Sequence, residues 1–104
     1  MKQEDAEKLV RHSTRVQIVA HLAKKNMSPS ELASKIDDVT LGSAAYHVRA
    51  MTKAGALELA DEGRVRGAIE HFYKLRKSAI EPLKIALAKK AKEGQAAKKA
   101  LNKL

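Results

Sequence analysis

A chain of 104 residues has room for one hydrophobic core with short appendages and too little to bury in a second. With 44% hydrophobic but only 3% aromatic residues, that core must rest on Leu, Ile, Val, Ala and Met, and no aromatic pocket for a cofactor is in view. The absence of cysteine removes disulfides, thiolate metal sites and thiol nucleophiles, while a formal charge of +9 asks for a polyanionic partner, either nucleic acid or an anionic membrane surface.

In chain order, residues 4–12 read as a first helix. Glu4, Asp5 and Glu7 near its start complement the helix dipole, and Ala6, Leu9 and Val10 recur at helical spacing. Ser13 is the expected N-cap of a second helix through Lys25, on which Val16, Ile18, Val19 and Leu22 form an apolar stripe. Ser28-Pro29-Ser30-Glu31 is the clearest local signal: a capping serine, a proline suited to the first helical position and a glutamate that completes a capping box. This third helix, carrying Leu32, Ala33 and Ile36, breaks at Asp37-Asp38. Thr40 then opens a fourth helix that reaches Ala54 and stops at Gly55.

The texture changes beyond Gly55. Leu57 and Leu59 alternate with Glu58 and Ala60, Asp61-Glu62-Gly63 reads as a turn, and Val65 to Leu75 carries Val, Ile, Phe and Tyr, so a β-hairpin is expected. Ser78 is the expected cap of a last helix built on Ile80, Leu83 and Leu87, with Pro82 tolerated because it falls in the first turn. Residues 84–104 hold seven lysines against the single acid Glu93, a local charge of +6, whereas the preceding body is only mildly basic at +3.

The expected class is therefore mainly α with a small β-hairpin (α+β), a winged helix-turn-helix with N-terminal and C-terminal flanking helices. Residues 1–88 would form the domain and residues 89–104 a lysine-rich tail, helical or disordered. In this plan the second helix of the pair lies in a DNA major groove and the hairpin touches the backbone or minor groove. With Leu41, Ala44, Val48 and Met51 packed inward, the helix opened by Thr40 presents Ser43, Tyr46, His47, Arg49 and Lys53 outward. Gly42, Ala44 and Ala45 keep its N-terminal half slim enough to approach base edges. Tyr46 and His47 either contact DNA or brace the helix, Arg49 and Lys53 suit phosphates, and Arg64 and Arg66 flank the hairpin turn where arginines clamp phosphates or enter a minor groove.

The chain resembles the ArsR-like winged-helix regulators through Ser30-Glu31-Leu32-Ala33, Tyr46-His47-Val48-Arg49, Ala54-Gly55 and Val65-Arg66-Gly67-Ala68-Ile69-Glu70-His71-Phe72-Tyr73. The resemblance spans roughly residues 9–75. It implies a homodimer whose first and last helices pack across a two-fold axis, bound to double-stranded DNA at a palindromic operator and usually repressing. The metal-sensing members use cysteines or clustered histidine and acid ligands, and a chain without cysteine cannot sense soft metals that way.

His12, His21, His47 and His71 lack the spacing of a metal centre, and no cofactor is implied. Glu70 and His71 are adjacent on a strand and point to opposite faces, so they form no acid–base site by themselves. With no phosphate loop, nucleophile elbow or paired carboxylates, the chain reads as non-enzymatic. The lysine-rich end has no aromatic anchor, which favours DNA over a membrane as its partner and makes it a candidate basic arm. A charged N-terminus and the lack of any long apolar run point to an intracellular protein, and the resemblance implies a cytoplasmic, nucleoid-associated one of prokaryotic or phage origin. Two other readings use the same fold: a phage or plasmid accessory protein acting in recombination, replication or DNA organisation, and a winged helix repurposed for protein interaction.

Overall fold

A computed structural model describes residues 1–65 and 67–104. Helices α1 (Gln3–Leu9), α2 (Ser13–Leu22), α3 (Pro29–Lys35) and α4 (Leu41–Lys53) precede the antiparallel strands β1 (Leu57–Val65) and β2 (Ala68–Leu75), and α5 (Lys77–Lys90) and α6 (Gln95–Lys103) follow. This is a mainly helical winged helix-turn-helix, with α3 and α4 as the helix pair and the hairpin as the wing.

The local signals at the helix pair are realised in full. Ser28 caps α3: its Oγ accepts from the Glu31 N–H at 3.1 Å, and the Glu31 carboxylate accepts from the Ser28 N–H at 3.4 Å. Thr40 caps α4, its Oγ1 accepting from the Ser43 N–H at 3.1 Å. Between the two helices Asp38 takes φ 60°, a left-handed conformation that aspartate tolerates better than most residues. Gly55, with φ 89°, ends the segment after α4 and sends the chain into β1.

Elsewhere the boundaries differ from the sequence expectation. Neither Ser13 nor Ser78 is a cap: His12 and Arg76 hold those positions without side-chain bonds, and each serine lies inside its helix. α2 ends at Leu22, and Lys24 and Lys25 follow in a turn whose amides both reach the His21 carbonyl. Because α5 starts at Lys77, Pro82 lies in its second turn, where it lacks the N–H that would meet the Ser78 carbonyl. The Gln3 side-chain amide donates to the Pro82 carbonyl at 3.0 Å, fastening α1 to α5 at this proline.

The hairpin also reverses later than expected. Asp61, Glu62 and Gly63 are strand residues paired with Phe72, His71 and Glu70, and the register closes at Val65 opposite Ala68, with Gly67 at φ 83°. Gly63 is a strand glycine because the Phe72 ring leans over it: a Cβ there would lie 3.0 Å from Cε2 of that ring. Ala60 is the extra residue of a bulge between Leu59 and Asp61.

One core joins all the helices to the base of the wing. Ile18, Leu32, Met51, Leu57, Leu83 and Leu87 are among its largest fully buried side chains, each contributing about 1.5–3 kcal/mol relative to exposure. α6 belongs to this core, since Ala97 and Ala100 are buried and Leu101 and Leu104 pack against it. The lysine-rich end of the chain thus folds back along α2 and α5.

Backbone bonds tie the wing to the helix pair. Met27 and Tyr73 exchange both N–H···O bonds, at 3.2 and 2.8 Å, so β2 pairs with the residue just before the α3 cap. One residue on, the Ser28 hydroxyl donates to the Glu70 carboxylate at 3.2 Å. Ser28 is 1% exposed and serves both α3 and β2. Ser28→Ala removes the cap and leaves Glu70 without this donor, so stability is expected to fall by about 1–2 kcal/mol in urea unfolding with an unchanged m-value.

Candidate nucleic-acid interface

Helix α4 is divided lengthwise by its environment. Ala44, Val48 and Met51 are buried against the core. Roughly opposite them on the helix, Gly42, Tyr46, Arg49 and Lys53 are exposed, with Tyr46 58% accessible. Between these stripes, Ser43 and His47 are half-buried on the flank that meets α2, and Leu41 and Ala45 lie on the flank that faces the hairpin. Leu41 is not the inward residue its helical spacing suggested. It sits in the first turn, beyond the edge of the core, and is 57% exposed.

Thr40 stands exposed at the N-terminus of α4, and its oxygen is already committed to the Ser43 amide, leaving its O–H free to donate. Arg49 and Lys53 lie four residues apart on one exposed stripe, a spacing that suits two points on one phosphate backbone. On the wing, Arg64 is exposed near the far end of β1. Arg66, the other arginine assigned to the wing from the sequence, lies outside the described residues.

His47 is held from behind. The Arg15 Nε–H of α2 donates to its Nδ1 at 2.9 Å, and the Tyr46 ring meets it edge-on with centroids 5.3 Å apart. An Nδ1 that accepts carries no proton, so the ring is neutral with its N–H on Nε2. Burial first, then the Arg15 guanidinium and the neighbouring His12, hold its pKa below the ordinary histidine value. The residue therefore braces the exposed stripe through Tyr46 and keeps one donor on its free edge. Arg15, which sets this tautomer, went unnoticed in the sequence because its partner lies thirty-two residues away on another helix.

Between α4 and the hairpin runs a groove of about 420 Å³ lined by Ser30, Leu41, Ala45, Ile69, His71 and Tyr73, among others. Leu41 and Ile69, each 57% exposed, form its apolar lips. Nothing in the sequence marked Ile69 for this place, because alternation alone does not say which face of a wing meets the body. Along the hairpin, Glu62–His71 at 3.5 Å and Glu58 with Lys74 and Arg76 at 3.9 and 3.6 Å are exposed ion contacts of small energetic weight.

Residues 11–60 match the family described as a helix-turn-helix domain. The match starts just before α2, takes in the α3–α4 pair and ends within β1, covering just under half of the chain. A helix-turn-helix domain is a DNA-binding unit, and the matched span contains the exposed stripe of α4. Comparison with curated proteins returns no match. No described helix is long and apolar enough to cross a membrane.

The depressed pKa of His47 has a consequence for stability. A ring that resists protonation in the folded state contributes stability that is present above its unfolded value of 6.5 and is lost as pH falls through the lower folded value. His21 is shifted in the same direction, chiefly by burial. The melting temperature is expected to fall between about pH 7.5 and about pH 5.5. His47→Gln keeps an acceptor for Arg15 without a titrating ring, so its melting temperature should fall less steeply; equal slopes would refute this role.

Proposed function

We propose that the protein is a sequence-specific DNA-binding transcription regulator of the ArsR-like kind, acting as a homodimeric repressor at a palindromic operator. The observation that carries this reading is the exposed stripe of α4, with Tyr46, Arg49 and Lys53 free on a helix whose other side is fixed in the core. Tyr46 reads bases, with the Nε2–H of His47 beside it. Arg49, Lys53, Arg64 and Arg66 engage phosphates and set the register, while Thr40 and Ser43 bring the N-terminus of α4 against the backbone, where its amide dipole favours phosphate. The apolar lips Leu41 and Ile69 suit thymine methyl groups beside the reading helix.

A homodimer through α1 and α5 is what the resemblance implies; within one protomer the Gln3–Pro82 bond and the exposed Glu7–Lys89 pair at 3.4 Å hold the two helices side by side as one surface. Ile85, 42% exposed on α5, offers an apolar contact for a second copy. To read a palindrome, such a dimer must place its two α4 helices in successive major grooves, about 34 Å apart. A protein-interaction module is the second reading, favoured by the same apolar lips, since Leu41, Tyr46 and Ile69 together are large exposed hydrophobic side chains.

Selection of binding sites from random DNA at physiological salt separates the two. A recovered palindrome, bound more tightly than its shuffled sequence, supports the regulator; an absence of any sequence preference sinks it. At the recovered site Tyr46→Ala is expected to cost about 1–3 kcal/mol and to relax the preference. Lys53→Gln should weaken binding to all sequences alike and reduce the slope of log affinity against log salt by about one unit per contact.

A further inference from the structure

On the far side of α2 from the reading helix, α6 leaves a cleft of about 380 Å³. From α2 it is lined by Gln17, Ala20, His21 and Lys24, and from α6 by Gln95, Ala96, Lys99 and Lys103. The first four recur at helical spacing on one face, roughly opposite Arg15, the residue that touches His47. Lys99 and Lys103 are one turn apart on α6 and are aimed at that face.

The cleft is one-signed. No carboxylate is among its lining residues, and among the described residues no ion pair involves Lys24, Lys99 or Lys103. What sets these three lysines apart is that they converge on one concave surface, whereas most other unpaired basic side chains lie singly on the outside. The crowding is felt by the groups themselves. Lys103 is held below its ordinary pKa first by the neighbouring Lys24 amine, and then by desolvation and by the charges of Lys24 and Lys99. His21 is lowered by burial and then by Lys24, Lys35 and Lys103.

Like charges gathered in a concave site without a counter-charge are stabilised by an anion that bridges them. The anchoring helix is itself part of the core through Ala97 and Ala100, so Lys99 and Lys103 are presented on a fixed element. Two side-chain amides, Gln17 and Gln95, add neutral donors, and Ala20 and Ala96 add an apolar surface within a volume suited to a small molecule.

We propose that the α2–α6 cleft is a binding site for a phosphate-bearing small molecule, with Lys24, Lys99 and Lys103 holding the phosphate groups. A ligand there would touch α2 on the side away from Arg15, and α2 is the element that braces the reading helix. The site is independent of the proposed reading of DNA by α4.

The test is calorimetric titration of the full chain with inorganic tripolyphosphate and, separately, with a nucleoside triphosphate. Saturable binding is expected, and in the wild-type protein amide resonances of Gln17, His21, Gln95 and Lys99 should shift ahead of those in α4 and the wing. Lys24→Gln/Lys103→Gln should weaken binding at least about tenfold. Lys2→Gln/Lys8→Gln, the same change of net charge on α1, should alter it less than about twofold. Absence of saturable binding to both probes overturns the proposal, as does equal weakening by the two variants, which would mean diffuse charge. It is also overturned if the cleft variant loses DNA affinity while neither free probe binds, because the phosphates held there would then be those of the duplex backbone.

Discussion

The arrangement depends on one buried serine. Ser28 closes the N-terminus of α3 through its hydroxyl oxygen and holds the wing through its hydroxyl proton, with Met27 beside it paired to Tyr73. A hydroxyl is the smallest group that can accept and donate at once, and it is buried without an unmet bond. Through it the helix pair and the hairpin are positioned relative to each other by two hydrogen bonds on one side chain, at 3.1 and 3.2 Å. That relation matters for any protein that must set a helix and a wing against the same duplex, because an error of about 1 Å at their junction is magnified at the wing tip.

A second constraint fixes α4 about its own axis. The core grips α4 on Ala44, Val48 and Met51, which sets its depth, while the Arg15–His47 bond secures one flank. Tyr46 rests its edge on that histidine instead of swinging free. The exposed stripe is therefore ordered from below by packing and from the side by one charged hydrogen bond, which spares a partner part of the entropy of fixing it.

How much of this was legible in the sequence depended on how far each signal had to travel. Ser28, Thr40 and Gly55 act on amides within a few residues, so the capping chemistry located α3 and α4 correctly. Asp61-Glu62-Gly63 has turn composition but lies in a strand, because Gly63 is needed to admit the Phe72 ring from across the ladder. Leu41 had the right spacing to be buried and was left outside because the core ends one turn later. α6 was the hardest to read. Its buried stripe is alanine, and alanine signals burial only once the partner helix is known. The Arg15–His47 bond and the α2–α6 cleft join residues distant in the chain, and neither periodicity nor composition carries that information.

The bulge at Ala60 divides the wing into two parts with different obligations. Below it, Leu57 is buried, Tyr73 of β2 is paired with Met27 and the Arg76 N–H donates to the Ala56 carbonyl; above it, Asp61, Glu62, Arg64, Ala68 and Ile69 are all exposed. Apart from the Ser28–Glu70 bond, the described upper part is held by the ladder, and these exposed residues contribute little apolar burial to the fold. Substitutions at exposed Asp61, Glu62, Arg64 or Ile69 are expected to cost little in folding, unlike those at Gly63, Gly67 or Glu70. The outer wing's exposed positions are therefore the part of the chain where surface chemistry can change without first requiring a more stable protein.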